Sequence, residues 1–353
     1  MTQRIRTRSQ SSQATQPKLS PPLRNKRRRR VRSPSLCPAS GEETRLAPAA
    51  AAAPATAAPE PLAYPVTVTA AGGCQITARR MISTSADASP AQLVSTYTRD
   101  GYLLLRSFLQ PAEVRAARLA ILDDLRKSGH IARSGVDGVE EEGEALCGRI
   151  AEGGEGASAG APSLLQRQDL ASSPAVSAVL EHPKLAALMR LLHPPQISTS
   201  PTNEPTTNAL PAKPHPFKWL RAVGPSQHTG PHIDRVYFPS LHTAWIPLGN
   251  IPPRLGSLLV VPGSHASPAF ENFRSTYGSS SVGRDGTTSG WCCDDAGQIG
   301  ETFGIPSEDL NWVTEEMQMG DVVVVDQACL HMSATNCAEP PEWRISCDTR
   351  WFC

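Results

Sequence analysis

The stretch GPHIDRVYF at residues 230–238 decides how this chain is interpreted. His232 and Asp234 are separated by one residue, and on an extended strand the side chains at i and i+2 point to the same face. Ile233 then points into the opposite layer. An imidazole nitrogen and a carboxylate oxygen on one face are two parts of the two-histidine, one-carboxylate triad that suits non-haem Fe(II) and leaves positions open. The stretch therefore predicts a metal site, provided that a third ligand approaches from elsewhere.

A second segment, GDVVVVDQACLHMSATN at residues 320–336, supplies a candidate third ligand. Its four valines predict a buried strand, and His331 follows just past the end of that strand, where a side chain can face a cavity. Arg344 then begins the alternating segment 344–350, which is typical of a strand. A buried guanidinium near a metal binds both oxygens of a ligand carboxylate with its planar fork.

Each of these residues also has a purely structural interpretation. His232 could be a hydrogen-bonded core histidine, and Arg344 could pair with a nearby acid such as Glu342. Their order along the chain and their placement on strands favour the metal site.

The surrounding chain predicts an α+β fold. Short apolar runs separated by Gly and Pro are each too short for a stable helix and predict strands of a β-sandwich or barrel, of which the jelly roll is one solution. These runs lie at residues 217–223, 232–238, 242–248, 257–261, 321–326 and 343–352.

Helices are expected before these strands. One helix follows Pro90, and a strand is expected at 102–105. Pro111 opens an amphipathic helix that ends near Gly129, and two shorter helices occupy 174–181 and 184–192. Long surface insertions are expected near 133–161 and 271–311, the second of them exposed and mobile.

Residues 1–85 are expected to be a disordered basic and Ala/Pro-rich tail, so that the ordered domain spans 86–353. The first 41 residues contain no Asp or Glu, and RNKRRRRVR occupies residues 24–32, although the formal net charge of the chain is only +1. This arm fits a transit peptide, a nuclear-import or nucleic-acid-binding patch, or a solvated tail without a role.

The cysteines and the hydropathy pattern indicate an intracellular protein. Nine cysteines without a CxxC pair suggest reduced thiols rather than disulfides or a thiolate zinc site. No apolar run reaches the roughly 20 residues of a membrane span. We expect a cytoplasmic or organellar protein, with the nucleus as the alternative.

Beyond these patterns, the chain resembles the phytanoyl-CoA dioxygenase family of Fe(II)- and 2-oxoglutarate-dependent oxygenases. The resemblance covers roughly residues 90–353 apart from the two insertions. It is carried by KWLRAVGPSQHTGPHIDRVYF (218–238), HTAWIPLGNIPPRLGSLLVVPGSH (242–265) and GDVVVVDQACLHMSATNCAEPPEWRISCDTRW (320–351). It implies a double-stranded β-helix (jelly roll) core flanked by N-terminal helices.

The resemblance also implies site residues. His232, Asp234 and His331 would bind iron, and Arg344 would anchor 2-oxoglutarate. Ser333 would add a hydroxyl to the same carboxylate, and Trp245 would line the cosubstrate pocket.

Three other residues carry weaker expectations. His265 in the PGSH segment would be a turn residue, and His228 could approach the substrate. Because the segment between His331 and Arg344 is somewhat long for the family, Arg350 is the fallback anchor.

The implied reaction uses Fe(II), 2-oxoglutarate and O2 and releases succinate and CO2, with hydroxylation of a small-molecule or lipid-like substrate as the expected outcome. No dense basic cluster in the ordered part marks a CoA site. Two alternatives are a non-catalytic jelly-roll module tethered to nucleic acid by the basic arm, and a nuclear oxygenase that acts on a macromolecule. The sequence carries no signal of oligomeric state.

Overall fold

The computed structural model describes residues 62–131, 148–150, 163–193, 212–282 and 290–353. The expectations for residues 1–61, for most of the insertion at 133–161 and for 283–289 lie outside the described residues.

Two β-sheets form the framework of the described chain. The five-stranded sheet has the order β1-β2-β9-β8-β11, and the seven-stranded sheet has the order β3-β4-β10-β7-β12-β5, with β6 also paired to β12. Most neighbours are antiparallel, while β2–β9 and β3–β4 are parallel. In chain order, β1 to β12 are Val66–Thr69, Gln75–Arg80, Ser83–Thr84, Tyr102–Leu105, Lys213–Pro214, Trp219–Val223, His242–Pro247, Leu258–Val260, Val313–Thr314, Val322–Val325, His331–Ser333 and Arg344–Phe352.

The helices between residues 90 and 192 pack against the outer face of the seven-stranded sheet. Alternate residues of β12, including Ile345, Cys347 and Trp351, share one hydrophobic cluster with the buried faces of the helices. In chain order, α1 to α7 are Pro90–Asp100, Pro111–Lys127, Gln168–Ala171, Pro174–Leu180, Pro183–Leu192, Glu271–Ser275 and Ile299–Phe303.

The caps of α1 follow from its flanking residues. The Ser89 hydroxyl accepts a hydrogen bond from the Gln92 backbone N–H, and Gly101 ends the helix with φ 73°, a conformation that glycine adopts without strain. The α+β class and the jelly-roll core with N-terminal helices are confirmed.

The prediction of disorder up to residue 85 is wrong for residues 66–84. Val66–Thr69 and Gln75–Arg80 form a hairpin, and β2 joins the core sheet through β9. Both strands alternate apolar and polar residues, with Val68, Ile76 and Ala78 buried. The parallel partner lies more than 200 residues away in the chain, so a local composition argument did not detect it.

The prediction of an exposed loop at 271–311 is also wrong for part of the residues described there. Phe273, Ile299 and Phe303 are buried and cover the outer face of the five-stranded sheet, where they contact the cluster that contains Leu259 and Met332. This segment therefore forms a third layer of the domain.

No helix within the described residues is long and apolar enough to span a bilayer.

Candidate metal centre

The three candidate metal ligands converge between the two sheets. His232 and His331 form an antiparallel bridge in which each backbone N–H donates to the other backbone carbonyl, at 2.9 and 3.0 Å. Their imidazole centroids are 4.2 Å apart. One potential ligand atom from each ring and one carboxylate oxygen of Asp234 lie within 4.8 Å of one another, and all three residues are buried. Within the described part of the chain this is the one group of His, Cys, Asp or Glu side chains with that property.

The local backbone differs from the expected strand at 232–238. Ile233 is extended (φ −125°, ψ 143°), so the same-face argument holds for His232 and Asp234, but a 3-10 turn begins at Asp234 and continues to Val236. Ile233 points to the opposite side from His232 and Asp234, into the hydrophobic cluster on the outer face of the five-stranded sheet. A single extended residue is thus enough to place the two ligand side chains together.

His331 lies past the end of the valine strand and in the other sheet. It does not extend the valine strand β10, which belongs to the seven-stranded sheet. Instead, after a turn at residues 326–330, it begins β11, which pairs with β8 in the five-stranded sheet. The chain therefore crosses from one sheet to the other between Val325 and His331, and the crossing brings the third ligand opposite His232.

Hydrogen bonds leave one nitrogen of each imidazole available for a metal. His232 Nδ1 is 2.8 Å from the Gly230 carbonyl, and His331 Nδ1 is 2.9 Å from the Cys329 carbonyl. Because a carbonyl only accepts, each Nδ1 carries the proton and each Nε2 keeps its lone pair. Burial and the neighbouring imidazole lower the pKa of His232 to about 3, so this ring is neutral at physiological pH. Neutral imidazole is the form that coordinates metals.

The Asp234 carboxylate supplies the remaining donor. Burial raises its pKa, but Arg350 and the two imidazoles outweigh that effect and hold the pKa well below its usual range. Oδ1 forms an ion pair with Arg350, whose Nη1 lies 3.1 Å away, while Oδ2 is buried without a hydrogen-bond partner. An ionised carboxylate with an unused oxygen, beside two free imidazole nitrogens, fits a divalent metal such as Fe(II).

A cavity with an empty volume of about 480 Å³ adjoins these three side chains and also reaches Arg344. Arg344 is 1% exposed, and its Nε is buried without a hydrogen-bond partner. Burial and the nearby Arg221 lower its pKa from 12.5 to about 10. Among the described residues no carboxylate forms an ion pair with it, since Glu342, the expected structural partner, pairs with Arg118. The guanidinium is thus a buried cation that faces a cavity beside the metal ligands.

Ser333 and Trp245 line the same cavity, whereas Arg350 does not. Ser333 lies on β11, where its hydroxyl accepts from the Thr229 backbone N–H at 2.8 Å. Trp245 lies on β7 and is 5% exposed. Arg350 is directed to Asp234 instead, so its location does not suit the fallback role of a cosubstrate anchor.

Sequence reasoning missed the ion pair between Arg221 and Asp348. Arg221 Nη2 is 3.2 Å from Asp348 Oδ2, and both residues line the cavity. A signal was present in β12, where alternate positions 344, 346, 348 and 350 are all polar while Ile345 and Cys347 between them are apolar. A strand with one polar and one apolar face, both buried, indicates that the polar face lines a site.

A second, more open cavity shares Arg221 and Thr229 with the first and has an empty volume of about 890 Å³. We call the two the inner and outer cavities. His228 lines the outer cavity, and its ring centroid is 5.5 Å from that of Trp291. His265 lies apart from both cavities in a turn, where Nε2 is 3.0 Å from the Thr98 carbonyl.

Comparison with protein families gives a match over most of the described domain. Residues 97–341 match the family model described as phytanoyl-CoA dioxygenase (PhyH). The matched span contains the three candidate metal ligands together with Trp245 and Ser333, and it ends before Arg344. No curated protein matches the chain.

Comparison with solved structures gives distant likenesses. The 2-oxoglutarate-dependent epimerase SnoN from nogalamycin biosynthesis is 21% identical over 74% of this chain and 82% of its own, with a TM-score of 0.43. The carbocyclase SnoK from the same biosynthesis is 20% identical over 77% of this chain and 87% of its own, with a TM-score of 0.45. EctD from S. alaskensis, solved with 2-oxoglutarate and 5-hydroxyectoine, is 17% identical over 77% and 81%, with a TM-score of 0.45. Nothing about substrate or reaction is transferred from such distant similarity.

Proposed function

The chain belongs to the phytanoyl-CoA dioxygenase family of Fe(II)- and 2-oxoglutarate-dependent oxygenases, and from this premise we propose that it hydroxylates a small-molecule or lipid-like substrate. The observation that supports the proposal most is the inner cavity, which has three convergent metal ligands and a buried guanidinium without a carboxylate partner among the described residues. Metal ligands alone would also fit a structural metal, but the cavity and Arg344 favour a second, anionic ligand next to the metal.

His232, Asp234 and His331 would hold the iron through His232 Nε2, His331 Nε2 and the Asp234 carboxylate. When bound, iron and 2-oxoglutarate supply the oxidising chemistry, in which a C–H bond, O2 and 2-oxoglutarate become a C–OH bond, succinate and CO2. The carbonyls of Gly230 and Cys329 accept from the two Nδ1–H groups, so that each ring presents Nε2 to the metal. Those hydrogen bonds also fix the ring orientations, so little reorganisation accompanies metal binding.

Arg344 would bind the distal carboxylate of 2-oxoglutarate. Its planar fork accommodates both carboxylate oxygens, and binding an anion relieves the cost of a buried, unpaired cation. Ser333, on β11 two residues after a metal ligand, would donate its hydroxyl proton to the same carboxylate. The Trp245 ring forms a wall of the cavity and limits the orientations of the bound dicarboxylate.

The outer cavity would receive the substrate. Leu164, Leu220 and Val223 provide an apolar wall, and Trp291 and His228 provide aromatic surface. Arg221 is the only Lys or Arg among the described residues that line it, and that charge is paired with Asp348. A lining of this kind suits a largely apolar molecule better than the diphosphate of an acyl-CoA.

The alternatives outlined from the sequence have less support. A non-catalytic module would have no use for a buried triad that adjoins a cavity with an unpaired guanidinium. The basic arm on which both nucleic-acid alternatives rest lies outside the described residues, so the proposed activity is assigned to the ordered domain.

The test of the metal site is 2-oxoglutarate turnover by the full chain loaded anaerobically with Fe(II). We expect succinate formation by the wild type to fall to background in His232→Ala and in Asp234→Ala, because each loses one of three metal ligands. His265→Ala is the matched control, since this histidine lies in a turn away from the cavity, and it should retain wild-type turnover. Turnover in either ligand variant at the level of the control would contradict the assigned site.

The test of hydroxylation needs a product. A screen of lipids and small metabolites identifies compounds that stimulate succinate release, and the product is then analysed by mass spectrometry under ¹⁸O₂. Hydroxylation predicts one labelled oxygen atom per product molecule. A product without label would show that the enzyme carries out a different oxidation at the same site.

A further inference from the structure

Arg350 lies deep in the protein beside the metal carboxylate, and the proposed function gives it no role. It is 4% exposed, and its Nη1 is 3.1 Å from Asp234 Oδ1 and 3.3 Å from Thr243 Oγ1. It belongs to the polar face of β12 but does not line the inner cavity. Its charge is therefore directed at a metal ligand rather than at a substrate or cosubstrate.

Two aromatic rings enclose the same guanidinium. Its Cζ is 4.5 Å from the ring centroid of Trp219 and 4.4 Å from that of Phe238. The two rings are inclined at 68° with centroids 5.0 Å apart, so they form a corner that the guanidinium fills. Cation–π contacts in a desolvated corner, together with the two polar contacts, fix the guanidinium in position and orientation.

The turn that carries Asp234 closes around this guanidinium. The Phe238 backbone N–H donates to the Asp234 carbonyl at 3.0 Å, so the ligand and the ring are held by one turn. Arg350 contacts both ends of the turn, the Asp234 carboxylate through an ion pair and the Phe238 ring through its face. A residue of β12 in the seven-stranded sheet thereby links the two ends of the short turn 234–238.

We propose that Arg350 is a positioning residue for the metal centre: through its contact with Oδ1 it fixes the Asp234 carboxylate beside the two imidazoles. This inference rests on the proposed function, because it assumes that Asp234 is a metal ligand. The partner of a ligating carboxylate typically changes metal affinity by about 10- to 100-fold when it is removed.

The direction in which metal affinity changes distinguishes positioning by Arg350 from a simple effect of its charge. If Arg350 acted only as a nearby cation, it would repel a divalent metal, and its removal would tighten metal binding. If it positions the carboxylate, its removal weakens metal binding even though a repulsive charge has gone. The two accounts therefore predict opposite changes in the dissociation constant.

The experiment measures Mn(II) binding to the full chain by electron paramagnetic resonance, without cosubstrate or turnover. We expect the dissociation constant to rise about 10- to 100-fold in Arg350→Met and by less in Arg350→Lys. Lysine keeps the charge, but it lacks the planar fork that fills the corner between Trp219 and Phe238. The Co(II) absorption spectrum should change in both variants, since the ligand geometry changes.

Arg106→Met is the matched control. Arg106 pairs with the buried carboxylate of Asp321 at 2.6 Å, away from the metal ligands. It should lose stability without a change in Mn(II) affinity, so a general loss of stability is distinguished from loss of positioning. If Arg350→Met does not fold, Arg350→Lys provides the test.

An unchanged or tighter Mn(II) dissociation constant in a folded Arg350 variant would overturn the inference. Absence of Mn(II) and Fe(II) binding by the wild type would instead overturn the proposed function itself, so the two failures are distinguishable.

Discussion

Replacing Arg344 with methionine should have opposite effects on stability and on cosubstrate binding. The wild-type guanidinium is 1% exposed and, among the described residues, has no carboxylate partner. Methionine keeps much of the aliphatic chain and removes the buried charge. We therefore expect the free protein to become no less stable, while its affinity for 2-oxoglutarate falls.

The structure sets the size of both effects. Lowering the pKa of Arg344 from 12.5 to about 10 corresponds to roughly 3 kcal/mol of unfavourable free energy for the charged form in the folded protein. Methionine removes this cost, but it packs less well than the arginine side chain, and the lost packing offsets a part of the gain. A hydrogen bond between two charged groups contributes about 1.5–3 kcal/mol, so the 2-oxoglutarate dissociation constant should rise roughly 10- to 150-fold.

The assay is thermal unfolding of the Mn(II)-loaded full chain as a function of 2-oxoglutarate concentration. A ligand that binds only the folded state raises the melting temperature with concentration, so the dissociation constant is read from the titration. Arg106→Met is again the control, with lower stability and unchanged 2-oxoglutarate affinity. Strong destabilisation of Arg344→Met together with a 2-oxoglutarate affinity equal to that of the wild type would contradict both expectations.

Three further predictions concern other parts of the protein. Ser333→Ala should raise the 2-oxoglutarate dissociation constant by less than Arg344→Met does, measured in the same titration, because it removes one hydrogen bond to the carboxylate and no charge. Trp291→Ala should raise KM for the substrate and leave 2-oxoglutarate affinity unchanged, because Trp291 lines only the outer cavity. Burial and His242 lower the pKa of His193 to about 3, so the folded protein excludes a proton that the unfolded chain binds below pH 6.5. In urea unfolding His193 should therefore contribute a fall in stability of up to about 1.4 kcal/mol per pH unit from pH 6.5 toward 3, and the total fall should be smaller in His193→Gln.

Local patterns in the sequence were sufficient for most of the elements and for the identity of the candidate ligands. The strand at Tyr102–Leu105 follows from a continuous apolar run after Asp100-Gly101, and the helix that begins at Pro111 follows from a proline at the first helical position. The spacing of His232 and Asp234 required only that Ile233 be extended, which it is. Such features depend on neighbouring residues, and neighbouring residues are what a sequence shows.

Contacts between distant segments were beyond the reach of those patterns. The strand at Gln75–Arg80 looked like part of a tail because its partner, Val313–Thr314, lies at the other end of the domain. The segment 271–311 looked exposed because its apolar residues are scattered, and only the outer face of the five-stranded sheet gives Phe273 and Phe303 a place to be buried.

Arg350 shows the same limit of local sequence patterns within the candidate site. The sequence alone shows that Arg350 shares a strand face with Arg344, because the alternation of side chains along a strand is a local property. Only the tertiary structure decided that Arg344 faces the cavity while Arg350 meets Asp234. Which partner a buried charge acquires depends on how the two sheets and the turn at Asp234 come together, and burial makes that partner decisive because water cannot replace it.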